Sequence, residues 1–530
     1  MALHLSVPAR ESKPLIPAET RPKIVQGLLA AMPAGNPTAA ARALLEPLSL
    51  LNRQAVSSNL RIKLLELYRP VALNIVRGLA AQYCGHTLPL PESAEAAAET
   101  SRALLTELAY GYKLAILDHA SRVFTIGGEK TLSMLIQRAI HTLDQLLLVS
   151  YYTYTPAPSG VWLEIHRLYL HAAQHGVHDA EVSDLGSKSS VSLAYKQALL
   201  LALANPHRLV SADVDSVRDY LASFAHLAQI QPFGTPGNPA GVFMVRLKFD
   251  YSPIPFTKHK GEVDMRTDIL LITVELARQV STHLVGLRAN EPPGKLGLPE
   301  NARAQHYQDL LAHLLKYWAL APKRTFSRLS KNESINLCVG LATMYYFLNG
   351  ESAYTLTKSE SEESEIDLNF TGSIADTNSQ HQYNTARWLV VNESAGGMAL
   401  SKFPGVPSAL RVGELLGLRS DRSDQWSLGV VRWANSGDSG DLEIGSQMLA
   451  PSAKAVAVRP DRQGAFERAL LLPELPPLKQ PPTLVTTCGV YQPARVLEVS
   501  MATEGAPTLV LATRLLERTN SFERFQFSAL

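Results

Sequence analysis

The stretch Val390-Val391-Asn392-Glu393-Ser394-Ala395-Gly396-Gly397-Met398-Ala399-Leu400 decides how the second half of this chain folds. Two apolar runs flank a polar bend. Val390 and Val391 are β-branched, and Asn392 and Ser394 carry short side chains that hydrogen-bond nearby backbone. Gly396 and Gly397 allow a tight reversal and a close backbone approach. The reading is a strand, a bend and a second strand, with N–H and hydroxyl groups of the bend offered as donors.

Outward from this bend the texture stays β-like. SINLCVGLATMYYFL (334–348) and TARWLVV (385–391) read as the first two strands, and RVGELLGLR (411–419), WSLGVVRWAN (426–435) and LEIGSQML (442–449) as later ones. TLVTTCGVY, ARVLEVSM, TLVLATRLLE and RFQFSAL, between 483 and 530, form a further β-rich segment. The tract KSESEESEID (358–367) carries carboxylates that repel one another and bury nothing, so 350–383 reads as an acidic insertion at a strand connection.

Before Pro322 the pattern is helical, with Leu, Ala, Ile and Val recurring at three- and four-residue steps. Asn59–Tyr83, Ala96–Ser121, Lys130–Tyr152, Val191–Ala204 and Met265–Leu287 are the clearest helices, separated by Pro- and Gly-rich punctuation such as 156–160 and 232–241. The expected fold class is multidomain α+β. Its parts are a flexible N-terminus (1–20), an all-α helical array or bundle (21–318), a six-stranded antiparallel β-barrel (319–457) and a small C-terminal β-rich domain (458–530).

At 530 residues, one core is too few. The net charge of +2 argues against nucleic acid as a partner, since any anion site must be built locally. Cys84, Cys338 and Cys488 lack the spacing of a zinc or redox site and fit a reducing compartment. The N-terminus has no apolar core of signal-peptide length, and the most apolar helix, Met134–Tyr152, carries Arg138, His141 and Asp144. No membrane span and a cytoplasmic location are expected.

Just before the barrel, PKRTFSR places Lys323, Arg324 and Arg328 at the joint between the two halves. With Asn392, Ser394, Gly396 and Gly397 of the bend, this resembles the PilZ family: an arginine pair spaced R-x-x-x-R, then (D/N)-x-S-x-x-G at a strand turn. The resemblance covers about 320–455. It implies a PilZ-like barrel that binds cyclic di-GMP, with Arg324 and Arg328 on guanine and phosphate and Asn392, Ser394 and Gly397 on the other side. Guanidinium chemistry suits that ligand, because an Arg stacks on a guanine face and its forked donors reach O6 and N7 or a phosphate oxygen. The gap between Arg328 and Asn392 exceeds the family's usual length, which the acidic insertion accounts for.

Other signals point elsewhere. His171 and His175 are spaced i, i+4 within His166–His178, but no third metal ligand accompanies them, and packing histidines are the expectation. Gly437-Asp438-Ser439-Gly440 resembles a protease nucleophile segment without the matching histidine, and Gly294-Lys295 lacks the Ser or Thr of a phosphate loop. Trp388 and Trp433 read as packing residues on strands, with stacking as the second reading. No paired-carboxylate or cofactor signature emerges, so the expectation is a receptor rather than an enzyme, with the helical half offered to a protein partner. The alternative is an interaction scaffold whose barrel is ligand-free.

Overall fold

A computed structural model describes residues 3–33, 35–120, 128–319, 327–352, 383–437, 440–460, 464–476, 479–501 and 507–530. Lys323, Arg324, residues 353–382 of the acidic insertion, and Asp438 and Ser439 lie outside the described residues. The chain divides into two compact units, Met1–His86 with Leu90–Lys323, and Thr87–Pro89 with Arg324–Leu530.

The first unit is built on α1 (Pro22–Ala30), α2 (Pro37–Arg53), α3 (Ser58–Ala80), α4 (Glu92–Ala120), α5 (Gly128–Thr153), α6 (Val161–Gln174), α7 (Val191–Leu203), α8 (Ser211–Phe224), α9 (Val274–Arg288) and α10 (Ala304–Trp318). In α5 the buried series Leu132, Leu135, Ile136, Ala139, Ile140, Leu143 and Leu147 follows the helical period and packs in one continuous core. Among the described residues no helix is long and apolar enough to cross a membrane.

Polar residues of α5 have their own partner. Asp184, in the hairpin β1 (Val182–Asp184) and β2 (Ser187–Ser189), accepts from Arg69 at 2.7 Å and Gln137 at 2.7 Å and pairs with Arg138 at 3.0 Å. Burial would raise the Asp184 carboxyl, but the Arg69 hydrogen bond and charge, with the Gln137 amide, hold it below its ordinary value.

The helical unit is not purely helical. Besides that hairpin it carries a four-stranded antiparallel sheet of β3 (Gln229–Pro232), β4 (Val242–Arg246), β5 (Ile254–Pro255) and β6 (Asp268–Ile272), in the order β3-β6-β4-β5. Met265–Leu287, expected as one helix, therefore divides into β6 and α9. The short apolar run at 269–272 is compatible with either period, and pairing with β3 and β4 decides it.

The second unit holds two closed six-stranded barrels. The first uses β7 (Leu329–Val339), β8 (Ala386–Ser394), β9 (Gly397–Lys402), β10 (Leu415–Ser420), β11 (Ser427–Ser436) and β12 (Leu442–Ala450), in the order β10-β11-β12-β9-β8-β7, with every neighbouring pair antiparallel. The second uses β13 (Lys454–Arg459), β14 (Glu467–Leu472), β15 (Thr483–Thr486), β16 (Val496–Met501), β17 (Thr508–Arg518) and β18 (Glu523–Ala529).

The expected first strand, 334–348, is half helix. Gly340, at φ +89°, ends β7, and α11 (Leu341–Leu348) follows. Its Leu341, Met344 and Tyr345 join Leu415, Leu428 and Val430 of the first barrel and Leu470, Val485 and Phe522 of the second in one apolar cluster. The two barrels thus share a core along the outside of β10 and β11.

Candidate functional site

The bend read from sequence is the β8–β9 hairpin: Ser394 pairs with Gly397, and the Ser394 hydroxyl donates to the Gly397 carbonyl at 3.1 Å. Gly397 sits at φ +150°, and a Cβ there would fall 2.0 Å from the Ser446 carbonyl oxygen of β12. Only glycine lets the bend lie this close to its neighbour. The Gly396 carbonyl accepts the Met448 N–H at 3.1 Å, tying the bend to β12.

Two irregularities aim the side chains. Trp388 and Val390 are buried toward the barrel interior, so strict alternation would turn Asn392 inward with them. Instead the register slips between Val390 and Asn392, opposite Leu400 and Ala399. This bulge places Glu393 on the interior side, where it lines the barrel end with Val390 and Met398, and leaves Asn392 and Ser394 on the outer face. A matching slip in β7 lies between Ser330 and Glu333.

The register also shows which residues flank the start of β7, next to Arg328. Leu329 is directly opposite Glu393 and Ser330 opposite Asn392, so exposed Arg328, the residue before Leu329, lies at the start of β7 near the bend. Arg328 and the Asn/Ser bend, more than sixty residues apart in sequence, come together at one end of β7 and β8. Lys331, three positions after Arg328, forms an ion pair with Glu393 at the barrel mouth. The carboxylate between Asn392 and Ser394 is thus neutralised on the interior side and adds no unpaired charge to the outer face. Inside that mouth is a cavity of about 200 Å³, lined by Lys331, Glu333, Glu393, Met398, Ser427 and Met448 among others.

Across the outer face the register runs Ser330, Asn392, Ala399, Gly445, Trp433 through β7, β8, β9, β12 and β11. The two smallest residues occupy the middle, and the half-buried Trp433 indole lies where a Gly445 side chain would otherwise sit. The next row runs Ser394, Gly397, Gln447. Arg432, the extra residue in a bulge between Val431 and Trp433, donates to the Gln447 side-chain oxygen at 2.7 Å. Trp388 is wholly buried in the barrel, so of the two tryptophans weighed from sequence only Trp433 belongs to this face. Arg432, Gln447 and Gly445 escaped the sequence reading, because only strand register brings them to the bend.

His166 is buried between the Tyr195 hydroxyl at 2.7 Å and the Tyr251 carbonyl at 2.9 Å, and burial pulls its imidazole down to about 4. Among the described residues no group of three or more His, Cys, Asp and Glu is arranged to hold a metal ion.

A closed six-stranded barrel with an outward Asn-x-Ser-x-x-Gly bend beside an arginine-bearing strand start is the architecture of a PilZ domain. Comparison with known proteins extends this to the whole chain. Three models of one family match in order: "Cyclic-di-GMP receptor FimW, N-terminal domain" over 23–236, its "middle PilZ domain" over 242–374 and 356–455, and "FimW C-terminal beta-barrel domain" over 453–530. The chain belongs to this PilZ family with an N-terminal helical region. It is 27% identical to a protein named "Cyclic-di-GMP receptor FimW" from Pseudomonas aeruginosa, the alignment covering 99% of this chain and 93% of the relative. The middle model starts at 242, so it takes in β4–β6, α9 and α10 as well as the first barrel.

Proposed function

We propose that this chain is a cytoplasmic cyclic di-GMP receptor whose site is the outer face of the first barrel. The observation that supports the reading is the β7–β8 register, in which Leu329 and Ser330, immediately after Arg328, face Glu393 and Asn392. Arg328 supplies a guanidinium for guanine or phosphate, and Asn392, Ser394 and the Gly396-Gly397 backbone supply donors and acceptors on the other side. Lys323 and Arg324, immediately upstream in sequence, complete the cationic set. The Trp433 ring, lying over Gly445, offers an aromatic surface about two strand spacings, or roughly 10 Å, from Asn392.

Messenger binding pins the 319–330 segment onto the barrel and so changes how the helical half presents itself to a protein partner. A ligand shifts such an equilibrium only through different affinity for the two arrangements, and the arginines upstream of β7 provide that difference. No step of turnover is required of any residue in the site.

The test is calorimetric titration of cyclic di-GMP into the wild type and Arg328→Ala, with small-angle scattering on the same samples. Saturable binding lost or weakened at least about tenfold in Arg328→Ala is expected, from a lost charge-assisted hydrogen bond. Absence of binding by the wild type overturns the receptor reading. Binding with an unchanged scattering profile overturns only the transmission step.

A further inference from the structure

The joint between the two barrels borders the proposed ligand face, and one ion pair lies on the boundary. Arg432 stands between Trp433 and the Gln447–Gly397–Ser394 row. Its Nε donates to Gln447 Oε1 at 2.7 Å, and its Nη1 donates to Glu517 Oε1 of β17, in the second barrel, at 2.5 Å. We propose that Glu517 is a positioning residue for the dinucleotide face: the second barrel, through this carboxylate, holds Arg432 as a guanidinium donor to the phosphate or guanine edge of the ligand. The inference rests on the cyclic di-GMP reading of that face.

Three features favour this role over a purely structural bridge. First, the guanidinium fork is held at two points, by a side-chain amide oxygen and a carboxylate, which fixes its plane and leaves further N–H donors of its five for an acceptor. Second, the joint carries more positive than negative charge. Arg524 lies directly across from Glu517 on β18, and burial pushes its guanidinium below the ordinary value, with Glu517 opposing and Arg432 adding to the shift. One carboxylate between two arginines leaves an excess cation, suited to a phosphodiester. Third, Glu517 is held in place from below: Phe522, at the β17–β18 turn, is fully buried in the core shared by the barrels, and the neighbouring Ser521 hydroxyl donates to the Gly413 carbonyl at 3.1 Å.

A structural bridge and a positioning residue differ in how their losses combine. Residues acting on a ligand through one another are non-additive, whereas independent contributions add. The experiment is calorimetric titration of cyclic di-GMP into the full chain as wild type, Arg432→Ala, Glu517→Ala, Glu517→Gln and the double variant Arg432→Ala/Glu517→Ala. Thermal midpoints of all five report folding. Arg432→Ala is expected to weaken binding about tenfold or more, as for a lost charge-assisted hydrogen bond. Glu517→Ala is expected to weaken it several-fold, and Glu517→Gln, which still accepts from Arg432, to retain most of the affinity. The double variant should bind no more weakly than Arg432→Ala alone.

Wild-type binding with Glu517→Ala unchanged or tighter overturns the inference while sparing the receptor reading, as does a full additive loss in the double variant. Wild-type chain that gives no binding overturns both. Should Glu517→Ala lower the thermal midpoint enough to unfold the joint, Glu517→Asp makes the same comparison. It keeps the charge, withdraws it by one methylene, and is expected to weaken binding less than Arg432→Ala.

Discussion

Trp433 lies over Gly445: a Cβ added at residue 445 would fall 1.8 Å from the indole Nε1 and 2.1 Å from Cε2. The two residues face each other on β11 and β12, and the ring occupies space that only a glycine leaves open. Gly445→Ala should therefore drive the indole off the barrel wall at a cost of about 1–3 kcal/mol, typical of overpacking. If the ring contributes to the ligand face, the same change weakens cyclic di-GMP binding. Tryptophan fluorescence during titration separates the two effects: the ligand-induced change should vanish in Trp433→Phe, while the four other tryptophans remain.

Gly397 makes a harder demand. Its φ of +150° and the Ser446 carbonyl 2.0 Å from a would-be Cβ combine an unfavourable backbone conformation with a clash against main chain, which cannot swing aside. Gly397→Ala is expected to cost about 2 kcal/mol or more and to lower the thermal midpoint of the barrel unit by several degrees. An unchanged midpoint would mean that the hairpin reorganises without penalty.

The bend was legible in sequence because everything that shapes it is local: short polar side chains, two glycines, β-branched flanks. Most barrel strands were likewise legible as segments along the chain from similar short signals. What stayed hidden depends on pairing. The slip between Val390 and Asn392 reverses which side chains face outward, and no single strand announces it. Arg432 and Glu517 stand 85 residues apart and meet only because a shared apolar core docks one barrel on the other. For α11 the local signal is present in the sequence, since Leu341, Met344, Tyr345 and Leu348 carry a helical period. The small sheet within 229–272 lay behind proline- and glycine-rich punctuation that read as mere connection.

Charge on the outer face gives a salt prediction. Arg328 is exposed, so its attraction for a phosphodiester is screened as the Debye length falls from about 10 Å at 0.1 M salt to about 3 Å at 1 M. Affinity for cyclic di-GMP should decline steadily over that range. In Arg328→Ala both the affinity and its dependence on salt should be reduced, whereas loss of a neutral contact such as Ser394→Ala should lower affinity and leave the salt slope intact. Titrations at four or five salt concentrations distinguish the two patterns.

The helical unit carries its own pH signature at Asp144 of α5. This side chain is half-buried, its Oδ1 is shut off from solvent without a hydrogen-bond partner, and the loss of solvation raises the carboxyl from the ordinary 3.8 to about 6, with the Arg218 charge only partly opposing. In the unfolded chain the proton leaves near 3.8; in the folded chain it stays until about 6. The folded state therefore binds more protons across that interval, and stability declines as pH rises through it. Below it both states are neutral and the penalty is absent; above it the full cost of a buried carboxylate remains, on the order of 3 kcal/mol. Asp144→Asn removes the titration while keeping the shape. It should be more stable than wild type at pH 7–8 and converge with it near pH 4, read as thermal midpoints of the helical unit across pH. A difference that stays constant over the whole range would show that Asp144 finds a partner or water when ionised.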